Sequence, residues 1–359
     1  MSESINHFEK RKSDHLKIAL QAKTQADGQN GLDFVFLEQD AFPELNFDQV
    51  QISTEIWGKT FSAPFFISSM TAGNEVGYRI NEILAKFSES KKILMGVGSQ
   101  RRELVDPLAA KEWLQIRQSA PNALLVGNLG LTQLIDTPLL QIQKMIESLR
   151  AEALFIHTNP LQEVIQQEGT PHFLGGLKAL EKLCKEISVP VIVKEVGCGF
   201  SMKNLKQLNS LGVFAVDVSG LGGTHWGRVE AYRQNEADLH HQVGMTFKNW
   251  GQSTAQVLCD AQTLAQSGEL NYKIWASGGI RSGLDIAKCL SVGASQVGLA
   301  RPWLEAILNK DLSIQKDAEI KLEALFEKLS YELRVAMFCT GSRDLAELAG
   351  KGRFQWQKN

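Results

Sequence analysis

The stretch that decides the fold is ASGGIRSGLDIAKCLSVGASQVGLARPWL, residues 276–304. An apolar segment ends in Gly278-Gly279, a helix is predicted to begin near Gly283, and a second apolar segment ends in Gly298-Leu299-Ala300-Arg301. Two short apolar strands around an amphipathic helix are typical of a parallel β-α-β unit. In barrels of eight such units, the loops after strands 7 and 8 bind phosphate, and glycine lets backbone N–H groups approach the anion. We therefore predict a phosphate site rather than two plain tight turns.

Six further apolar runs precede this stretch, and most of the runs end in Gly, Ser, Asn or Thr. They are PFFISSM (64–70), KILMGVG (92–98), ALLVGNLG (123–130), ALFIHTN (153–159), PVIVKEV (190–196) and FAVDVSG (214–220). KIWASGG (273–279) and SQVGLAR (295–301) complete the series of eight. Segments of about 15–30 residues with helical periodicity separate most of them, which is typical of parallel strands with crossover helices. The pattern predicts an α/β protein with a (β/α)8 TIM barrel. A six-stranded sheet would require two of these short runs to be buried helices, and their length argues against it.

The chain is predicted to divide into an N-terminal arm (1–63), a catalytic barrel (64–347) and a C-terminal tail (348–359). We expect the polar arm to contain one or two short elements and to contribute to the substrate site. Residues 221–272 are too long for an ordinary connection, so we expect an extended loop with helices over the barrel mouth. Residues 312–347 are predicted to be helical.

The composition excludes several classes of protein. The 359 residues include 38 Lys plus Arg and 40 Asp plus Glu, and this balance argues against a nucleic-acid partner. No apolar run reaches the roughly 18 residues that a membrane span requires, and the polar start lacks the apolar segment of a signal peptide. The five cysteines form no CxxC pair and no disulfide pattern. We therefore expect a cytoplasmic protein with no membrane partner.

The predicted strand ends carry hydrogen-bond donors, small residues and cations, with almost no carboxylates. Barrel active sites lie at these ends, so the mouth is predicted to bind an anion. Lys194 lies in the apolar run VIVKEVG (191–197), and a buried lysine needs a partner. In a flavin site, such a lysine would stabilise negative charge on the ring.

Two features have a plain structural explanation when the residues alone are considered. Arg11-Lys12 has the pattern of a surface charge pair. Glu163 has the pattern of a first-turn helix residue. A single carboxylate can also serve Mg²⁺, which takes its other ligands from water and substrate phosphates.

Several motifs in this order resemble the type 2 isopentenyl-diphosphate isomerases, an FMN-dependent family of isoprenoid biosynthesis. The resemblance covers almost the whole chain. It is carried by RKSDHL (11–16), SSMTAG (68–73), GVGSQR (96–101), VGNLG (126–130), HTNPLQE (157–163), VIVKEVG (191–197), VSGLGGTHW (218–226) and ASGGIRSGLDIAK (276–288). The chain departs from the family pattern at Ala72, Thr170 and His225, and it lacks a proline near Ser253.

The resemblance implies a role for individual residues. The implied FMN contacts are Ser69, Met70, Thr71, Ser99, Asn128, Lys194, Ser219, Thr224, Gly278, Gly279, Ile280, Arg281, Ala300 and Arg301. The implied substrate contacts are Arg11, Lys12, Ser99, Gln100, Arg101, His157 and Gln162. Gln162 would face the reacting alkene as the catalytic residue, with reduced FMN as acid and base, and Glu163 would bind Mg²⁺.

The resemblance also implies the reaction and its requirements. Isopentenyl and dimethylallyl diphosphate would interconvert by proton addition at one end of the allyl unit and proton removal at the other. NADPH would be the reductant, and the protein would be a homo-oligomer, a tetramer or an octamer.

Two alternatives stay open. An FMN-dependent 2-hydroxy-acid oxidase or dehydrogenase would need a rim histidine and an arginine pair near strands 6 and 7, where the sequence offers only His225. A non-catalytic flavin- or phosphate-binding barrel would not require Gln162 and Glu163 together. Turnover of isopentenyl diphosphate distinguishes all three.

Overall fold

The computed structural model describes residues 5–26 and 30–355. Parts of the predicted arm (1–4 and 27–29) and of the predicted tail (356–359) lie outside the described residues. The strands in chain order are β1 Val35–Leu37, β2 Thr54–Ile56, β3 Lys59–Phe61, β4 Phe65–Ile67, β5 Leu94–Gly96, β6 Leu124–Gly130, β7 Ala153–Thr158, β8 Val191–Glu195, β9 Ala215–Asp217, β10 Lys273–Ala276, β11 Gln296–Leu299 and β12 Gly352–Phe354.

Eight parallel strands close into a barrel in the order β10-β11-β4-β5-β6-β7-β8-β9. Each of the eight predicted apolar runs supplies one strand, so the (β/α)8 prediction is confirmed. The register pairs Ile156 with Val193 and His157 with Lys194. Because successive side chains of a strand point to opposite faces, these two pairs face opposite sides of the barrel wall.

The helices surround the barrel and extend over its mouth. They are α1 Ile5–Ala19, α2 Glu75–Lys91, α3 Pro107–Ser119, α4 Leu131–Asp136, α5 Leu139–Leu149, α6 Pro160–Ile165, α7 Gly176–Glu186, α8 Met202–Leu208, α9 Trp226–Arg233, α10 Leu239–Thr246, α11 Thr254–Gln266, α12 Gly283–Ser291, α13 Arg301–Ile307, α14 Ala318–Cys339 and α15 Leu345–Leu348. Helices α9 to α11 confirm the expected helices after strand 6, and α14 confirms the expected helical C-terminal segment. Among the residues described, no helix combines the length and the apolar character needed to cross a membrane.

A layer of aromatic side chains fills the barrel below the mouth. The ring centroids of Phe66, Phe155 and Trp275 lie 5.2–6.2 Å apart. Below them, Ile56 and Phe61 from the antiparallel pair β2–β3 belong to the same buried cluster. Because these side chains fill the interior at this end, the open space inside the described barrel lies at the C-terminal ends of the strands.

The N-terminal arm has more structure than predicted. Its first element is a helix of 15 residues, and three short strands follow. Strand β1 pairs antiparallel with β12, which joins the arm to the C-terminal segment. The prediction of one or two short elements was wrong because the buried face of α1 is partly polar: Arg11 and His15 are buried there together with Leu16. Polar composition therefore concealed a packed helix.

Candidate active site

A cavity of about 520 Å³ lies at the C-terminal ends of the barrel strands. We call it the mouth cavity. Its wall includes most of the residues singled out from the sequence. They are Arg11, Lys12, Ser69, Met70, Ser99, Arg101, Asn128, His157, Gln162, Glu163, Lys194, Ser219, Thr224, Gly278, Gly279, Ile280, Arg281, Ala300 and Arg301. Residues separated by nearly 300 positions thus meet in one cavity.

Two of the predicted contacts lie elsewhere. Thr71 lines a small adjoining cavity of about 90 Å³ next to α1. Gln100 is fully buried, and its Oε1 accepts the N–H of Asn128 at 3.1 Å. Its Nε2 donates to Glu103 Oε2 at 2.8 Å and to the Met145 carbonyl at 3.1 Å. The Gln100 side chain therefore contacts Asn128 and does not line the mouth cavity.

The loops after β10 and β11 form a backbone cradle. Gly278 and Gly279 have φ values of +103° and +74°, which favour glycine. A Cβ atom at Gly278 would lie 2.2 Å from the Gly220 carbonyl oxygen. The N–H groups of Gly279, Ile280 and Ala300 donate to no other group within the described residues. This set of free donors fits a phosphate.

The helix N-terminus that follows this cradle is not free. The N–H of Gly283 donates to Glu332 Oε2 at 2.7 Å, and Ser282 and Asp285 form a capping box. Protein groups thus already occupy the first donors of α12, and the free donors of the cradle come from the loops before it and after β11.

The two arginines of the cradle act differently. Arg281 donates to the carbonyls of Gly279 at 3.1 Å and Gly222 at 3.0 Å, so it joins the loops after β9 and β10. Arg301 donates to the Leu20 carbonyl at 3.0 Å and pairs with Glu305 at 2.6 Å. The Arg301 guanidinium thus holds the end of α1 against the barrel.

Three buried hydroxyls, two in the wall of the mouth cavity and one in the small adjoining cavity, lack partners. The side-chain oxygens of Ser68, Ser69 and Thr71 make no hydrogen bond within the described part of the chain. A buried hydroxyl without a partner is costly, so these groups are expected to meet a polar ligand. Together with the phosphate cradle, they fit FMN.

Lys194 is buried at the end of β8 and has three polar neighbours. Its Nζ lies 2.9 Å from Asp217 Oδ2, 3.2 Å from Ser277 Oγ and 3.4 Å from Ser219 Oγ. Asp217 is fully buried and accepts a second bond from Ser277 at 2.7 Å. The sequence indicated that a buried Lys194 needs a partner, and the structure identifies it as Asp217 on the neighbouring strand β9.

His157 is held by Asn128. The Asn128 amide nitrogen donates to the Val97 carbonyl, so its Oδ1 faces His157 Nδ1 at 2.9 Å and accepts the proton there. Burial, followed by the charges of Lys12, Lys194 and Arg101, lowers the pKa of His157 to about 3. The imidazole is therefore neutral, with its proton on Nδ1.

Gln162 is fixed at both ends of its amide. Its Oε1 accepts from Asn159 at 3.0 Å, and its Nε2 donates to Glu230 Oε1 at 2.8 Å. Glu230 is fully buried on α9. It also lies 2.8 Å from His15 Nε2 and 2.7 Å from Arg233 Nη1.

The carboxylate of Glu230 is ionised. Burial alone would raise its pKa, but His15 and Arg233 beside it lower the pKa to about 2. Our sequence analysis missed Glu230 and His15. The spacing of Arg11 and His15, four residues apart, would have placed them on one helical face if the arm had been predicted as a helix. No local signal indicates Glu230.

Glu163 lies one residue after Gln162 and is buried in the cavity wall. Its Oε2 accepts the Thr170 N–H at 2.7 Å, and its Oε1 accepts from Asn159 at 3.1 Å. Thr170, which departs from the family pattern, thus touches this carboxylate directly. Within residues 5–26 and 30–355, no group of three or more acidic, His or Cys side chains could hold a metal. A lone carboxylate still fits Mg²⁺ that shares a diphosphate.

His225 does not line the mouth cavity. It is buried, its Nδ1 accepts the Arg228 N–H at the start of α9, and its Nε2 lies 3.1 Å from the Trp250 carbonyl. The rim histidine that an oxidase of 2-hydroxy acids would need is therefore turned away from the site.

Comparison with known proteins identifies the family of this chain. Residues 137–353 match the family of FMN-dependent dehydrogenases. An isopentenyl-diphosphate delta-isomerase of Bdellovibrio bacteriovorus is 53% identical over 355 residues, which cover 98% of this chain and 99% of that protein. The chain belongs to the isopentenyl-diphosphate delta-isomerase family. Family members of the same name from Legionella pneumophila (strain Paris) and Nostoc are 47% and 38% identical, over 98% and 96% of this chain and 99% and 95% of those proteins.

Solved structures of flavin enzymes share the fold. A flavocytochrome b2 variant with sulfite bound has a TM-score of 0.66 at 19% identity, covering 94% of this chain and 81% of that one. A mandelate oxidase variant has a TM-score of 0.59 at 15% identity, covering 99% of both chains. The family match confirms the prediction of FMN, and these structures support the barrel alone.

Proposed function

We propose that this chain interconverts isopentenyl diphosphate and dimethylallyl diphosphate by moving the double bond. The observation that carries the proposal is the fixed Gln162 amide beside Glu163, in a cavity that also fits FMN. A hydroxy-acid oxidase or a non-catalytic barrel does not require this pair. Family membership supports the same reaction, since the relatives carry the name of this isomerase.

The reaction needs no net electron transfer. One proton is added at one end of the allyl unit and one is removed at the other, so atoms and charge balance. Bound FMN in its reduced form would supply the proton donor and acceptor. Gln162 would orient the alkene, because both ends of its amide are held and its second N–H stays available.

The cations of the mouth cavity would hold the diphosphate. Arg11, Lys12 and Arg101 line one side of the cavity with His157. His157 is neutral in the free protein, so a direct N–H bond from its Nε2 to a diphosphate oxygen requires a second proton on the ring. An anion that neutralises the surrounding cations favours this protonation, and substrate binding would then take up a proton.

The carboxylates near the cavity are kept from reacting. A trialkyl-substituted cation would be the transient species, and a free carboxylate could trap it. Each nearby carboxylate has a partner: Glu230 with Arg233, Glu305 with Arg301, Asp217 with Lys194, and Glu163 with the Thr170 N–H. The arrangement would thereby protect a carbocation while the diphosphate keeps it in place.

The remaining requirements are also part of the proposal. Glu163 would hold Mg²⁺ against the diphosphate, since a single carboxylate plus phosphate oxygens suits this ion. NADPH would reduce the flavin. The chain would act as a homo-oligomer, as the family resemblance implies, and its scattered cysteines favour the cytoplasm.

A paired substrate assay tests the proposal. FMN-loaded, reduced protein is incubated with isopentenyl diphosphate and Mg²⁺, and the product is followed by NMR. Oxidised protein is incubated in parallel with L-lactate, and flavin reduction is followed by absorbance. We expect dimethylallyl diphosphate to form and lactate to leave the flavin oxidised. Flavin reduction by lactate without isomerisation would establish the alternative instead.

A further inference from the structure

A second cavity of about 570 Å³ lies behind β7 and β8, on the opposite side of the barrel wall from the mouth cavity. Because successive side chains of a strand point to opposite faces, different residues of the same strands line the two cavities. His157 and Lys194 line the mouth cavity, whereas Ile156 and Val193, their neighbours in the chain, line the second cavity. No role described above uses this space.

The wall of the second cavity is mainly apolar. The apolar lining includes Leu131, Leu161, Leu180, Phe200, Leu208 and Trp250. Trp250 is 60% exposed at the rim, whereas Leu180 and Leu208 are buried. A concave apolar wall of this size with few polar groups is typical of small-molecule sites.

Among the residues that the structure describes, one charged group lines this cavity. Glu195 is only 4% exposed, at the end of β8. Its Oε2 accepts the backbone N–H groups of residues 196–199, at 2.7 Å for the first two. Its Oε1 makes no hydrogen bond within the described residues. This oxygen reaches the open space of the cavity, where it can accept a hydrogen bond from a bound molecule or from water.

We propose that the second cavity binds an amphipathic small molecule, with its apolar chain against the leucines and a hydroxyl or ammonium donor on Glu195 Oε1. Burial raises the pKa of Glu195 to about 7, so above this pH its ionised carboxylate repels an anionic head group. An ammonium head group gains a charge-assisted hydrogen bond, which is stronger than a neutral one.

A ligand bound in the second cavity would affect the shape of the mouth cavity through one loop. The N–H groups of Val196 and Gly197 bond to Glu195, and the same two residues line the mouth cavity. A ligand that changes the position of the Glu195 carboxylate would therefore displace part of the wall of the mouth cavity.

Calorimetric titration of the FMN-loaded protein at pH 8 tests the proposal with three probes of equal chain length. They are octylamine, octanol and octanoate. We expect octylamine to bind at one site, at least about tenfold more tightly than octanoate, with octanol between them. The ammonium is protonated at this pH. Equal binding of octylamine and octanoate would overturn the proposal.

Two matched variants on α8 locate the binding. Gln207 lines the second cavity, whereas Lys203 is exposed and lies outside its wall. Gln207→Trp should fill the cavity and weaken octylamine binding at least about tenfold, while Lys203→Trp should leave it unchanged. Isomerase activity and FMN content should be the same in both variants. Octylamine binding that survives Gln207→Trp would contradict the assignment.

A third variant tests the head group. Glu195→Gln can keep an oxygen toward the backbone donors and present an amide N–H₂ to the cavity, so the preference for octylamine over octanoate should disappear. Light scattering provides the remaining check. If no probe binds and Gln207→Trp changes the oligomeric state, the cavity is covered by a second copy of the chain and the proposal is wrong.

Discussion

The two ends of the mouth cavity are held by different parts of the chain. At the phosphate end, backbone groups of two successive loops, after β10 and β11, form the cradle. At the reacting end, Gln162 on α6 is held by Glu230 on α9, and Glu230 contacts His15 on α1. One end depends on residues close together in the chain, and the other on side chains more than 200 positions apart.

This difference determines what each end is sensitive to. The cradle needs the absence of side chains, since a Cβ atom at Gly278 would meet the Gly220 carbonyl. The reacting end needs every member of a buried polar network, because the loss of one partner leaves the others without a bond. Substitutions can therefore damage either end separately.

The largest effect is expected from Glu230→Ala, which removes the centre of the side-chain network. Removing one member of a buried ion pair typically costs about 3–5 kcal/mol. Urea unfolding should show a loss of that size. Glu168→Ala is the control, because Glu168 binds the same Arg233 but is 21% exposed. Its loss should be less than half as large, and an equal loss would show that Glu230 is not the central group.

The next effect is expected in turnover. Gln162→Ala should lower kcat at least about 100-fold, because the alkene loses its orienting amide. FMN content and pyrophosphate binding should be unchanged, since Gln162 belongs to neither the phosphate cradle nor the cations that would hold the diphosphate. Gln167→Ala, an exposed glutamine in the following turn, should have normal kcat. A Gln162→Ala variant that keeps half of the activity would remove Gln162 from the mechanism.

A smaller effect is expected at the phosphate end. Gly278→Ala should weaken FMN binding at least about tenfold, because the new methyl group meets the Gly220 carbonyl. Gly293→Ala is the matched control: its φ of +110° imposes the same strain, but its Cβ would have no neighbour within 4 Å. FMN titration of both proteins separates strain from loss of the cradle. Equal weakening in the two would mean that backbone strain alone is responsible.

The pH dependence of stability gives the smallest effect. The folded-state pKa of His157 is about 3, below its unfolded value of about 6.5. Its contribution to stability is therefore present above pH 6.5 and is lost progressively as the pH falls toward 3. Between pH 6.5 and 5, the wild-type protein should lose about 1–2 kcal/mol more unfolding free energy than His157→Gln. Parallel curves for the two proteins would contradict a neutral His157.

The same comparison explains what the sequence could predict. The barrel strands were predictable because each is a short apolar run between helical segments, and the cradle because glycines cluster in two loops. Glu230 was not predictable: Arg233 is its neighbour on α9, but its other partners, His15 and Gln162, come from α1 and α6. Gln100 and Arg301 lie in the right motifs, but tertiary contacts turn their side chains to Asn128 and to the end of α1. A motif therefore places a backbone segment more reliably than it assigns a side chain.

Lys194 was predictable in part. Its apolar neighbours in β8 predicted burial and the need for a partner, but only the barrel register could identify that partner. The pairing of Lys194 with Asp217 along β8 and β9 supplies it. Burial is thus a local property, whereas the identity of the compensating charge depends on which strands are adjacent.

The most direct test of the account is an anaerobic isomerisation assay that changes only the redox state of the flavin. FMN-loaded protein receives isopentenyl diphosphate and Mg²⁺, either fully oxidised or reduced by dithionite, and NMR follows dimethylallyl diphosphate. Product is expected only with reduced flavin, with many turnovers for each reduction because no electrons are consumed. Equal rates with strictly oxidised flavin would contradict the proposed acid–base role of the cofactor.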